Sequence, residues 1–180
     1  MGNRILLADS SASMMTVTLD TNTVDDACLI EAARLAGFAV VQTTVTDREL
    51  ESSGVHSALA AGERLHEPFV LGESRLGFAV LESESGATTF EELLFVISNG
   101  SFPARGRRSS LSPGERRQLR DAMILSTHIR EGRNIFVTND VKGFIQAGRR
   151  ELLEREFGIQ VMTAVEFLKK CQGDSNGEDV

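Results

Sequence analysis

Short apolar runs alternate along this chain with segments whose apolar residues recur at helical spacing. Thr16-Val-Thr-Leu-Asp20 alternates and is β-branched, which predicts a strand ending at the acid. Asp25–Ala36 carries Ala27, Leu29, Ile30, Ala33 and Leu35 at helical spacing, and Gly37 follows as the closing glycine. Phe38–Thr44 is a continuous apolar run of the kind buried on both faces of a parallel sheet. Thr46 then reads as a helix cap, with Glu49 three residues on at the capping-box spacing.

Residues 52–110 are less patterned. His56–Leu65 fits a continuation of that helix, Leu76–Leu81 fits a strand, and Phe90–Ile97 fits either. Ser98–Pro113, rich in Gly, Ser, Pro and Arg, predicts a loop. From Ser112 the signal sharpens. Ser112-Pro-Gly-Glu115 predicts a helix start, with Pro at the first position and a helix running to about Arg130, where Gly132 ends it. Ile135–Thr138 predicts a strand leading into Asn139-Asp140. Gly148–Glu156 predicts a charged helix, Gly158–Thr163 a strand and Ala164–Lys170 a closing helix. Residues 1–13 read as a loose leader and 171–180 as a disordered acidic tail.

The order is β-α-β-α, an irregular middle, then α-β-α-β-α. It predicts an α/β fold: three layers, α/β/α, around a mostly parallel central sheet, whose sites form at the carboxyl ends of strands. Residues 14–170 form one predicted domain with a long middle segment at 52–110. At 180 residues, 41% hydrophobic and 25% charged, the chain has enough apolar mass for a core, which excludes collagen, coiled coil and wholesale disorder. No apolar run approaches the roughly 18 residues of a membrane span. The N-terminal apolar stretch is too short for a secretory signal. Cys28 and Cys171 match no metal or redox spacing and read as reduced thiols of a cytoplasmic protein.

The net charge of −7 hides a split. Residues 1–100 hold 5 basic against 15 acidic side chains, and residues 101–170 hold 14 against 8. Arg105, Arg107, Arg108, Arg116, Arg117 and Arg120 crowd together with only Glu115 opposing them in sequence. They are candidates to grip a nucleic-acid backbone, or else a solvated loop and helix face. Phe102 is the candidate for base stacking, or a loop anchor.

Four carboxylates recur where a parallel sheet gathers its loops. Asp20 ends the first strand, Glu49 follows the second, Asp121 sits in the long helix, and Asp140 follows the Ile135 strand. Singly, each reads as a cap or a surface acid. Together they read as a repelling set that needs a cation. Hard divalent ions such as Mg²⁺ or Mn²⁺ take oxygen ligands, and held this way they support phosphodiester hydrolysis. His128, seven residues after Asp121, is a ligand candidate or a packed histidine.

Three segments resemble the PIN domain family. Val17-Thr-Leu-Asp20-Thr-Asn22 resembles its opening strand, Leu119–His128 its central acidic helix, and Asn134-Ile-Phe-Val-Thr138-Asn139-Asp140 its late strand. Glu151–Phe167 resembles its closing elements, so the resemblance covers roughly 14–51 and 112–168. It implies a Mg²⁺- or Mn²⁺-dependent ribonuclease acting on single-stranded or structured RNA. Asp20, Glu49, Asp121 and Asp140 would be the acidic set, with Thr138, Asn22 and Asn139 in support. Glu51 and Asp47, two residues to either side, compete with Glu49 for the second acid. An inhibitor or antitoxin protein and a homodimer are partners the resemblance leaves open. The middle segment is longer than in compact family members. The alternative is a non-catalytic PIN-like module binding RNA or protein. A phosphatase or receiver-like use of Asp20 ranks last, since Asn22 stands where a second acid belongs.

Overall fold

The computed structural model describes residues 14–59, 63–146 and 148–174, so the leader and the last six residues lie outside the described residues. Among the described residues, seven strands and six α-helices follow in chain order. They are β1 (Thr16–Leu19), α1 (Ala27–Leu35), β2 (Ala39–Thr43), α2 (Thr44–Ser53), β3 (Glu63–Leu65), β4 (Glu67–Pro68) and β5 (Ala79–Val80), then α3 (Glu84–Ser98), α4 (Pro113–Arg130), β6 (Ile135–Val137), α5 (Arg149–Phe157), β7 (Gln160–Met162) and α6 (Ala164–Asp174). A 3₁₀ turn spans Arg105–Ser110 and a π turn Val141–Ile145.

Five strands form one sheet in the order β3-β2-β1-β6-β7, and every neighbouring pair is parallel. The sheet is buried on both faces, as the β-branched runs require. Val17, Leu19, Ile135 and Val137 pack with Leu29, Ile30 and Phe167 of α1 and α6. Phe136 and Val161 face the other way, onto Leu93, Leu94, Met123, Ile124 and Leu153 of α3, α4 and α5. Two cores on opposite faces make the three-layer α/β/α architecture. From β1 the chain moves outward one way to β2 and β3, and later the other way from β6 to β7. The order reverses between β1 and β6, and at their carboxyl ends the loops part into a crevice.

Several local expectations change. Thr46 does not cap α2: the helix starts directly off β2, and Thr43 is its N-cap, accepting from the Thr46 amide at 3.3 Å. Glu49 therefore lies beyond the capping-box position and its carboxylate is free for a tertiary role. α2 ends at Ser53, where Gly54 turns left-handed at φ 71°, so the described part of the expected His56–Leu65 continuation is not helical. The strand expected at Leu76–Leu81 shrinks to Ala79–Val80, and Phe90–Ile97 is the body of a fifteen-residue helix. The Ser98–Pro113 loop holds the 3₁₀ turn. α4 has the expected start, with a full Ser112–Glu115 capping box and Pro at the first turn. α6 runs past Lys170 to Asp174.

Candidate functional site

Asp20 lies one residue past β1, and its amide still bonds to Val137 O at 3.0 Å, extending the ladder toward β6. That register sets the end of β1 beside the end of β6, and the side chains there interlock. Thr138 Oγ1 donates to Asp20 Oδ2 at 2.6 Å and accepts from the Asp140 amide at 3.0 Å. Asn22 Nδ2 donates to the same Asp20 oxygen at 2.9 Å, and the Thr21 amide donates to Oδ1 at 2.8 Å. Asn22 Oδ1 accepts from the Asn139 amide at 2.8 Å, and Asn139 Oδ1 accepts from the Ala164 amide at 3.2 Å. Thr138, Asn22 and Asn139 thus form one network that fixes the two aspartates and ties β6 to the start of α6.

Asp140 caps the π turn, its Oδ1 accepting from the Gly143 amide at 2.9 Å. A Cβ on Gly143 would stand 2.8 Å from Asp140 Oδ2, so only glycine leaves this carboxylate where it is. Glu49 enters from the second turn of α2, where Thr21 Oγ1 donates to its Oε2 at 2.6 Å. The other acids of α2 turn away. Asp47 pairs with Arg64 at 3.0 Å and Glu51 with Arg75 at 2.7 Å, which leaves Glu49 as the α2 acid of the site. Asp121 enters from the third turn of α4.

Asp20, Glu49, Asp121 and Asp140 line one cavity of about 450 Å³, with Thr21, Asn22, Ser53 and Arg117 completing its wall. The charges act on one another. Burial pushes the Asp20 carboxyl from the ordinary carboxylate range up to about 6, with Glu49 and Asp140 adding and the Thr138 and Thr21 hydrogen bonds opposing. Burial also pushes Asp121 well above that range, reinforced by Asp20, Asp140 and Glu49 and countered by Arg117. Two acids held against ionisation by burial and by one another in one cavity make this the candidate functional site.

Among the described residues, no group of three or more His, Cys, Asp or Glu side chains is arranged to hold a metal ion directly. The four acids line a shared cavity rather than a closed cage. An all-oxygen donor set of this kind suits a hard cation that keeps several of its waters.

Four of the six candidate RNA-gripping arginines are engaged by acids that lie far away in sequence. Glu91 of α3 takes Arg105 at 2.9 Å and Arg108 at 2.6 Å, and Arg108 also stacks over Phe102 at 5.0 Å. Phe102 is thereby a loop anchor, half-buried beneath the arginine. Glu73, in the connection between β4 and β5, takes both Arg116 and Arg120. Arg117 faces the acid cavity, and Arg107 is exposed and makes no side-chain hydrogen bond or ion pair among the described residues. His128 is packed rather than ligating. It is fully buried, with Nδ1 2.9 Å from Thr18 Oγ1 and its ring edge-on to Phe136. Burial pushes its imidazole down to about 3, with Arg133 adding.

Sequence reasoning missed Thr21, Glu73 and Gly143. Thr21 had a signal, its place between Asp20 and Asn22. Glu73 had none, being 43 and 47 residues from its partners. A larger cavity of about 550 Å³ lies along α2, walled by Arg48, Arg64 and Arg75. Those arginines pair with Glu67, Asp47 and Glu51, so its charge is balanced and the acidic cavity is the chemical candidate. Compared with protein-family models and with curated proteins, the chain matches none.

Proposed function

We propose that this protein is a divalent-metal-dependent ribonuclease with a PIN-like acidic site. One observation carries the reading: four carboxylates from four separate elements share a cavity at the point where the strand order reverses, and two of them resist ionisation there. Asp20, Asp121, Asp140 and Glu49 would hold Mg²⁺ or Mn²⁺, largely through water. When bound, the cation offsets charge on a phosphoryl oxygen and activates water for attack. The chain's own part is positioning. Thr138 and Asn22 fix the Asp20 carboxylate, Gly143 fixes Asp140, and Thr21 fixes Glu49. Arg117 is the cation at the cavity wall best placed to meet a phosphate.

The second reading is a PIN-like module that binds RNA or protein without cutting. The observation in its favour is the lack, among the described residues, of a ready three-ligand cage. The deciding experiment is cleavage of a mixed pool of single-stranded and structured RNA with Mg²⁺ or Mn²⁺, beside an EDTA control and Asp121→Asn. Cleavage that needs the metal and is lost in the variant supports the nuclease. RNA binding without cleavage in any metal supports the module.

A further inference from the structure

Glu73 has a position that its sequence context does not explain. It lies in the turn joining β4 to β5, in the long middle segment, yet its side chain is only 5% exposed. It is buried against two guanidinium groups of α4, Arg116 and Arg120, the latter at 3.2 Å. The arginines are four residues apart and so stand on one face of the helix. They remain 43% and 32% exposed, so the carboxylate is the hidden member and the cations the accessible ones. Arg120 also reaches Glu49 Oε1 at 3.7 Å, which places it at the rim of the acid cavity, and it directly precedes Asp121.

The turn that carries Glu73 is itself tied down. The Ser74 amide bonds to Val70 O at 2.9 Å, and Ser74 Oγ accepts from the Val70 amide at 2.9 Å and donates to Pro68 O at 3.1 Å. These bonds fix the backbone on either side of Glu73. A guanidinium has five N–H donors in a rigid fork, and one carboxylate cannot use those of two arginines.

We propose that Glu73 is a positioning residue that fixes Arg116 and Arg120 as a phosphate clamp beside the acid cavity. The clamp takes a backbone phosphate of a bound strand next to the one at the acids, and it gives the middle segment a role in substrate binding. The proposal rests on the ribonuclease reading. Without Glu73 the arginines keep their charge and lose their orientation, so what is lost is ordered contact rather than attraction.

The test measures steady-state cleavage at several salt concentrations for wild type, Glu73→Gln, Arg120→Lys and Arg116→Gln/Arg120→Gln, together with RNA binding in EDTA. The clamp predicts that Glu73→Gln raises KM and the EDTA-measured Kd about tenfold, the scale of one lost charge-assisted contact. It also predicts kcat within about twofold and, because both cations remain, a salt dependence of binding no steeper than that of wild type. Arg120→Lys, which keeps the charge and loses the fork, should act in the same direction. Added to the double arginine variant, Glu73→Gln should change nothing further. Tighter RNA binding with a steeper salt dependence in Glu73→Gln overturns the proposal, because Glu73 is then only a competing charge. Unchanged KM and Kd in both Glu73→Gln and Arg120→Lys overturn it as well. A wild type that neither binds nor cuts RNA removes the underlying reading and this proposal together, whereas active wild type with indifferent variants removes the proposal alone.

Discussion

The Thr138 hydroxyl donates to Asp20 across 2.6 Å, closing a contact between residues 118 apart in sequence. The same oxygen accepts the Asp140 amide, so one buried hydroxyl holds both aspartates at the meeting of β1 and β6. Thr138→Val keeps the shape and removes both bonds, leaving the part-buried Asp140 amide without its acceptor. The expected cost is about 1–3 kcal/mol of stability. Chemical denaturation measures that cost, and RNA cleavage should fall with it. A variant as stable and as active as wild type would show that the network is dispensable.

Asp20 carries its own pH signature. Its folded pKa of about 6 lies above the ordinary 3.8, so the folded protein binds this proton more tightly than the unfolded chain. This favourable contribution is fully present below pH 3.8 and is lost as pH rises through about 6. Asp20→Asn removes the charge and also one acceptor, so at pH 7.5 without metal it should be more stable by about 1 kcal/mol. Melting profiles should show the gain fading below pH 4. Cleavage should be abolished. Asp140→Asn should abolish it too, and full metal-dependent activity in either variant would place the active site elsewhere.

A divalent cation that binds only the folded state raises stability by about 2.7 kcal/mol at a hundred times its Kd. Mn²⁺ and Mg²⁺ should therefore raise the melting temperature of wild type, and the rise should shrink in Asp20→Asn and Asp121→Asn. Equal rises in all three would remove these acids from the binding site.

His128 gives the opposite pH behaviour to Asp20. Its imidazole is neutral and buried, with a folded pKa of about 3 against 6.5 unfolded. The unfolded chain takes up a proton first as pH falls, so stability is lost from pH 6.5 down toward 3. At pH 5 the loss from this residue is about 2 kcal/mol relative to pH 7.5. His128→Leu should start lower, because Thr18 loses its partner, and should fall less steeply with acid. Parallel profiles for variant and wild type between pH 7 and 4 would contradict the assignment.

The arginines divide into structural and functional groups. Arg108, fastened to Glu91 and stacked on Phe102, should affect stability when changed to Gln and leave substrate affinity near wild type. Arg117→Gln should raise KM and reduce the salt dependence of binding by roughly one phosphate contact. Salt titrations of RNA binding on both variants separate the two roles, and an inverted pattern would mean the basic loop, not the cavity wall, meets RNA.

The chain's local patterns determined its α/β order. β-branched runs buried on both faces had to be strands of a parallel sheet, and Ser112-Pro-Gly-Glu115 had to begin a helix, because capping, propensity and periodicity act within a few residues. Asp20 and Asp140 were legible as strand-end acids for the same reason, and Asp121 as an acid beside apolar Ala122 and Met123 in the long helix. What only the tertiary structure decided lies across longer separations. Glu49 rather than Glu51 faces the cavity, where Thr21 from the end of β1 holds it while Arg75 draws Glu51 away. Glu73 and Glu91 pair with arginines that look unopposed along the chain, and His128 turns to Thr18 instead of toward Asp121. Ion pairs and buried hydrogen bonds depend on distance in space, and no period or spacing in a single sequence encodes which distant carboxylate will lie against which guanidinium.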